Sequence, residues 1–283
     1  MAQYEMPVST APGEAPARSR KWPLAGVMII DLVLIVIVIL ITTIVIGGIF
    51  IGVRAFQQGG LASQNQDELL KLLGPDGTFT ILLVQNAVFM LVPILRIAVL
   101  RREPLAEIGF RAPEPGRLLL LGVGMAAVMY AGSIALSLAF AQFGIQQDQA
   151  EQFKKQFSLA PGDFFGQILF LVGGGLLAPI GEETLFRGYV FNAIRLTFGT
   201  KRWGIPLAYL ASALVFAVIH FSGATQGTIA LIVPIFFIAL VLAWGMHRTG
   251  SLLPGIVAHA LFNSVQLVAL TYCINNPGTC PNF

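Results

Sequence analysis

A chain of 283 residues that is 56% apolar and only 11% charged carries about half the charge of an ordinary soluble domain, which excludes a surface built for water. Its net charge of +3 is too small to act as a nucleic-acid footprint. The charges fall in short islands between long apolar runs, which is the pattern of a membrane-spanning protein.

Residues 1–21, rich in Ala, Pro and Ser and without apolar periodicity, are expected to form a flexible cytoplasmic tail. The run from Pro23 to Val53 is too long for the apolar core of a cleaved signal and has no small-residue cleavage site, so it predicts an uncleaved first span. Asp31 within it calls for a partner on another helix, with a proton path as the weaker alternative. Gly47, Gly48 and Gly52 point to close helix packing. Further runs cover Phe79 to Leu95, Leu118 to Phe143, Phe164 to Leu196, Trp203 to Phe221, Thr228 to Met246 and Leu252 to Leu270, each near the roughly 20 residues a spanning helix needs. Pro93 and Pro234 are expected to kink their helices. Stretches 54–78 and 96–117 read as loops or interfacial segments, and Gln146 to Phe157 as a solvated loop or a surface helix. The expected architecture is an all-α polytopic transmembrane helix bundle of about seven spans. Residues 22–272 form one transmembrane domain, with a motif-bearing core at 164–270, and residues 273–283 an extracytoplasmic tail. No internal repeat of the transporter kind is visible.

Cytoplasmic loops retain Lys and Arg during insertion, and a cytoplasmic N-terminus puts all 17 basic residues on that side except Arg54, Lys71, Lys154 and Lys155. An integral, multi-pass protein of a bacterial inner or cell membrane is expected. This orientation leaves Cys273 and Cys280 outside, where they either close a small loop as a disulfide or stay as two thiols.

Ionisable groups inside a bilayer cost at least about 2.5 kcal/mol each near its centre, so each needs a reason. Beyond Asp31, Glu182, Glu183, Arg187, His220 and His259 nearly complete the list, joined by the uncharged Asn263. Glu183 and Arg187 lie one helical turn apart and can neutralise each other, which suits an architectural pair. Glu182 points about 100° away from Glu183 and is free to face another helix. A lone histidine in a span is usually a satisfied interhelical hydrogen-bonder, but here two of the chain's three lie in apolar runs, and His247 sits beside Arg248 at a helix end. A carboxylate, two imidazoles and an amide are the parts needed to activate water and hold an oxyanion.

Glu182-Glu183-Thr184-Leu185-Phe186-Arg187 matches the pattern EExxxR, Phe216 to His220 the pattern FxxxH, and His259 to Asn263 the pattern HxxxN. In this order and in separate apolar segments they resemble the CPBP family, the CAAX prenyl proteases of the second type and their bacterial relatives. The resemblance spans roughly residues 164–270 and implies a glutamate-dependent intramembrane endopeptidase acting on a membrane-anchored peptide or protein. It implies Glu182 as general base, His220 orienting the water, and His259 with Asn263 at the oxyanion. Glu183 and Arg187 would support the site, with Phe216 packed beneath His220. No cofactor is expected. The alternatives are a zinc protease using Glu182, His220 and His259, although the HExxH spacing is absent, and a non-enzymatic membrane regulator or immunity protein. The sequence leaves the substrate and the oligomeric state open.

Depth poses a difficulty. Measured from Phe164, Glu182 lies about 27 Å along its helix, whereas His220 lies about 25 Å from Trp203 in the opposite direction. Gly173-Gly174-Gly175 and Pro179 are therefore expected to break or bend this run, so that its functional part begins later than Phe164.

Overall fold

The computed structural model describes residues 24–60, 65–145, 159–220, 226–276 and 279. The tail at 1–21 and the segment from Gln146 to Phe157 lie outside them. The helices are α1 (Leu24–Gln57), α2 (Gln66–Ile94), α3 (Pro115–Gln142), α4 (Phe164–Phe198), α5 (Gly204–Ile219), α6 (Gln226–Thr249) and α7 (Leu253–Asn275). Among the described residues six helices are long and apolar enough to cross a membrane. The seventh, α5, has 16 residues and so reaches about 24 Å, short of the roughly 30 Å hydrocarbon layer. The protein is an integral, multi-pass membrane protein of the all-α class.

Local chemistry explains where the helices start. The Asn65 side chain accepts from the Glu68 N–H at 2.9 Å, and Asp163 does the same for Gly166 at 2.9 Å, each satisfying a first-turn donor. Pro115 and Pro254 open α3 and α7, where a missing N–H costs nothing.

Two stretches expected to be loops are partly helical. α2 begins at Gln66, pauses at Gly74 with φ +64°, and resumes at Pro75. Arg54 from the end of α1 fills the break, donating to the Leu72 carbonyl at 2.6 Å and pairing with Asp76 at 2.5 Å. A side chain at Gly74 would collide with that guanidinium. After Pro93, α2 continues as a π-helical stretch, Leu95–Arg101, ended by Arg102 at φ +55°. The wider turn is how this helix absorbs the proline's lost hydrogen bond. A 3₁₀ turn, Leu105–Ile108, then leads toward α3.

Asp31 has the interhelical partners its position demands. Its carboxylate, 1% exposed, receives Arg96 Nε at 2.8 Å and the Tyr189 hydroxyl at 2.5 Å, joining α1, α2 and α4. The expected close packing at Gly47, Gly48 and Gly52 is not found: a Cβ on any of them would meet no atom within 4 Å. That part of α1 faces outward with large apolar side chains exposed, as contact with lipid requires.

The centre of the bundle is α4. Every residue from Gly181 to Ile194 is buried, the signature of a helix enclosed on all sides. It does begin at Phe164, and it runs unbroken for 35 residues, with π-helical stretches at Leu171–Leu177 and Glu183–Phe191. The expected break at the triple glycine and Pro179 is replaced by this widening. The depth difficulty disappears with it. Because α4 reaches Phe198 before the chain turns into α5, Glu182 lies about 24 Å from that end, and His220 lies about as far from Gly204. Close packing at the triple glycine is real: a Cβ on Gly173, Gly174 or Gly175 would meet Leu82, Leu267 or Ser264 at 2.8, 3.1 and 2.8 Å.

The last helix passes the expected boundary at 272 and ends at Asn275. Cys273 in its final turn is disulfide-bonded, and Cys280 lies outside the described residues.

Candidate active site

Glu182 and Glu183 stand where the α-helical turn Ala178–Glu182 of α4 gives way to the π-helical stretch. Consecutive residues point in different directions, and here they divide the work. Glu183 and Arg187 are wholly buried, with Arg187 Nη1 2.8 Å from Glu183 Oε1. The same carboxylate oxygen also lies 3.0 Å from His259 Nδ1 on α7. Glu183 is therefore shared between two helices, a role that sequence spacing did not disclose. A carboxylate paired with a guanidinium is an acceptor, so the Nδ1 of His259 carries the hydrogen. Its Nε2 is left facing Glu182, whose Oε2 is 3.8 Å away. That gap is too long for a hydrogen bond and suits one water touching both atoms.

Phe216 is the wall on which these groups rest. The Arg187 guanidinium lies 4.2 Å from its ring centroid, and the rings of His220 and His259 stand at 4.8 and 5.8 Å. Phe186 meets it edge-on at 5.2 Å. The Phe216 ring thus packs against His220 and also supplies a cation–π contact to a buried charge. His220 caps α5 and donates from Nδ1 to the Phe216 carbonyl at 2.8 Å, since a carbonyl can only accept. In the neutral ring this tautomer makes Nε2 the acceptor.

Asn263 lies one turn beyond His259 on α7 and donates from Nδ2 to the Gly174 carbonyl in α4 at 2.9 Å. One amide hydrogen is engaged and a second remains. Glu182 and His259 come within water-bridging distance, His220 shares their aromatic wall, and Asn263 is anchored on the same helix as His259. The imidazole that approaches Glu182 is that of His259.

Several small residues make this closeness feasible. A Cβ on Gly181 would lie 2.9 Å from the Asn86 carbonyl oxygen, and one on Gly255 would lie 2.8 Å from Glu183 Oε2. Gly255 sits one turn before His259 on α7. Gly255→Ala is expected to push Glu183 off His259, costing about 1–3 kcal/mol by overpacking and lowering turnover by about 10²-fold. Thermal unfolding in detergent and turnover of the same preparation check the two halves of that expectation.

Among the described residues no group of three His, Cys, Asp or Glu side chains is placed to hold a metal ion together. The arrangement offers a carboxylate and an imidazole aimed at one small volume, with charge-neutralising support behind them.

Comparison with known proteins gives a result consistent with this geometry. The family model described as type II CAAX prenyl endopeptidase Rce1-like matches residues 164–265. A protein of Escherichia coli, described as an uncharacterized 24.3 kDa protein, is 31% identical over 151 residues, which is 52% of this chain and 64% of that one. The chain thus spans less than two thirds of this relative's length. No solved structure matches. The stretch that builds the site, from α4 into α7, is the part of the chain that is similar to the Rce1-like type II CAAX prenyl endopeptidases.

Proposed function

We propose that the protein is an intramembrane endopeptidase that hydrolyses a peptide bond of a membrane-associated substrate without a metal. The observation that carries this reading is the 3.8 Å gap between Glu182 Oε2 and His259 Nε2 inside the bundle. A water in that gap gives a proton to the Glu182 carboxylate as its oxygen attacks the substrate carbonyl carbon. The Nε2 of His220 accepts the water's other hydrogen and fixes its direction. The oxyanion is met by the second amide hydrogen of Asn263 and by His259, which donates from Nε2 when doubly protonated. Glu183 behind it stabilises that imidazolium. Glu182 then returns its proton to the departing amine, so the products are an acid and an amine and the enzyme is unchanged.

The family name points to substrates with a prenylated CAAX end. For this chain the substrate class extends to any membrane-anchored peptide, prenylated or not. The test is mass spectrometry of membrane peptides from cells carrying the wild type, Glu182→Gln or His220→Ala at equal protein levels. Peptides with new C-termini are expected in the wild type alone, and identical peptide sets would overturn the proposal. Cleavage by purified protein is further expected to survive exhaustive chelation with less than a twofold change. Loss on chelation with recovery on adding zinc would favour the zinc mechanism.

A further inference from the structure

At the end of the bundle where α4 and α6 finish, cations gather with few counter-charges. Arg195, in the last turn of α4, donates from Nε to Asn192 at 2.9 Å and stands within electrostatic reach of Arg111 and Glu107. His247, near the end of α6, lies within reach of Arg195 and Arg248. Arg111 crosses over to the end of α6, donating to the carbonyls of Gly250 and Thr249 at 2.8 and 3.2 Å. Of the carboxylates nearby, Glu103 faces Arg101 at 3.2 Å and Glu114 faces Arg117 at 3.5 Å. Among the described residues Glu107 is the carboxylate within electrostatic reach of Arg195. Among the described residues neither Arg195 nor Arg248 is in an ion pair. Guanidinium groups collected in this way repel one another unless an anion joins them.

The depth of the cluster says which anion. Trp203 and Trp244 are 45% and 42% exposed, and each carries a cation on its face. Lys201 Nζ lies 5.3 Å from the Trp203 ring and the Arg248 guanidinium 6.0 Å from the Trp244 ring. Exposed indoles at the ends of spanning helices mark the headgroup level. The arginines therefore sit at the height of lipid phosphates, outside the apolar layer and short of bulk water.

We propose that Arg195, Arg248 and Arg111 form a site for the headgroup of an anionic phospholipid in that leaflet. The site is separate from the one around Glu182 and stands whether or not the protein is a protease. A purely orientational role for the same basic residues would need no bound lipid, and the experiment separates the two.

The full chain in detergent is titrated with dioleoyl phosphatidylglycerol and with dioleoyl phosphatidylcholine, and adducts are counted by native mass spectrometry. A basic residue near an anionic surface is worth roughly a fivefold preference, so three give on the order of a hundredfold. The wild type is expected to retain phosphatidylglycerol about a hundredfold more tightly than phosphatidylcholine. Arg195→Gln with Arg248→Gln cuts that preference to about fivefold, and the paired lysine variant keeps most of it. Should the double glutamine variant fail to fold by circular dichroism, Arg248→Gln alone, on an exposed side chain, is expected to lose about fivefold. Equal retention of the two lipids, or a preference untouched by these substitutions, overturns the proposal. Displacement by glycerol phosphate as readily as by phosphatidylglycerol also overturns it, in favour of a soluble-anion site.

Discussion

Glu182→Gln is expected to leave the fold intact and to reduce peptide cleavage by at least about 10³-fold, within the range attributed to a general base. The substitution keeps the size of the side chain and nearly all its contacts. The nearest charged partner of Glu182, the His259 imidazole, is 3.8 Å away, and Arg187 keeps Glu183 at 2.8 Å, so the buried guanidinium stays paired when the Glu182 charge is removed. What it loses is the ability to take a proton from water. Cleavage of a membrane-anchored peptide by vesicle-reconstituted protein, beside a melting curve of the same sample, checks both statements. Full activity in Glu182→Gln would remove Glu182 from the chemistry.

The opposite balance is expected for Arg187→Ala, which should cost about 3–5 kcal/mol of stability, as loss of one partner from a buried ion pair does. Arg187 is wholly buried, pairs with Glu183, and stacks on Phe216 at 4.2 Å. Its removal leaves the Glu183 carboxylate without its guanidinium and a void beside the aromatic wall. A paired change, Arg187→Met with Glu183→Gln, should recover much of the loss because both charges leave together. It should not recover turnover, since His259 then lacks the carboxylate that sets its tautomer. Denaturation in mild detergent measures the first effect and single-turnover cleavage the second. If the paired variant were as active as the wild type, Glu183 would be a packing residue and nothing more.

Much of this was legible in the sequence, for reasons that can be named. The apolar runs announced the helices because a bilayer tolerates no unpaired backbone, so length and hydropathy suffice. Asp31, expected to need a partner, has Arg96 and Tyr189. The pair Glu183 and Arg187 followed from helical spacing alone. The bond from Glu183 to His259 did not, because it joins residues 76 positions apart and depends on how α4 and α7 pack. The same limit hid the contact of Asn263 with Gly174 and the need for glycine at 255. Glycine is ambiguous in sequence. The triple glycine packs tightly, whereas Gly47, Gly48 and Gly52 lie open on α1, and nothing local distinguishes them. The π-helical stretches of α4 were equally invisible. They let a long helix pass the triple glycine and Pro179 without the break those residues suggested.

The claim on which the mechanism rests is that Glu182 and His259 hold one water between them within the lipid layer. An experimental structure in lipid, at a resolution that reveals ordered water, tests it most directly. A water within about 3.2 Å of both Glu182 Oε2 and His259 Nε2 is the expected result. A direct carboxylate–imidazole bond with no room for water, or a Glu182 side chain turned toward lipid, would contradict it.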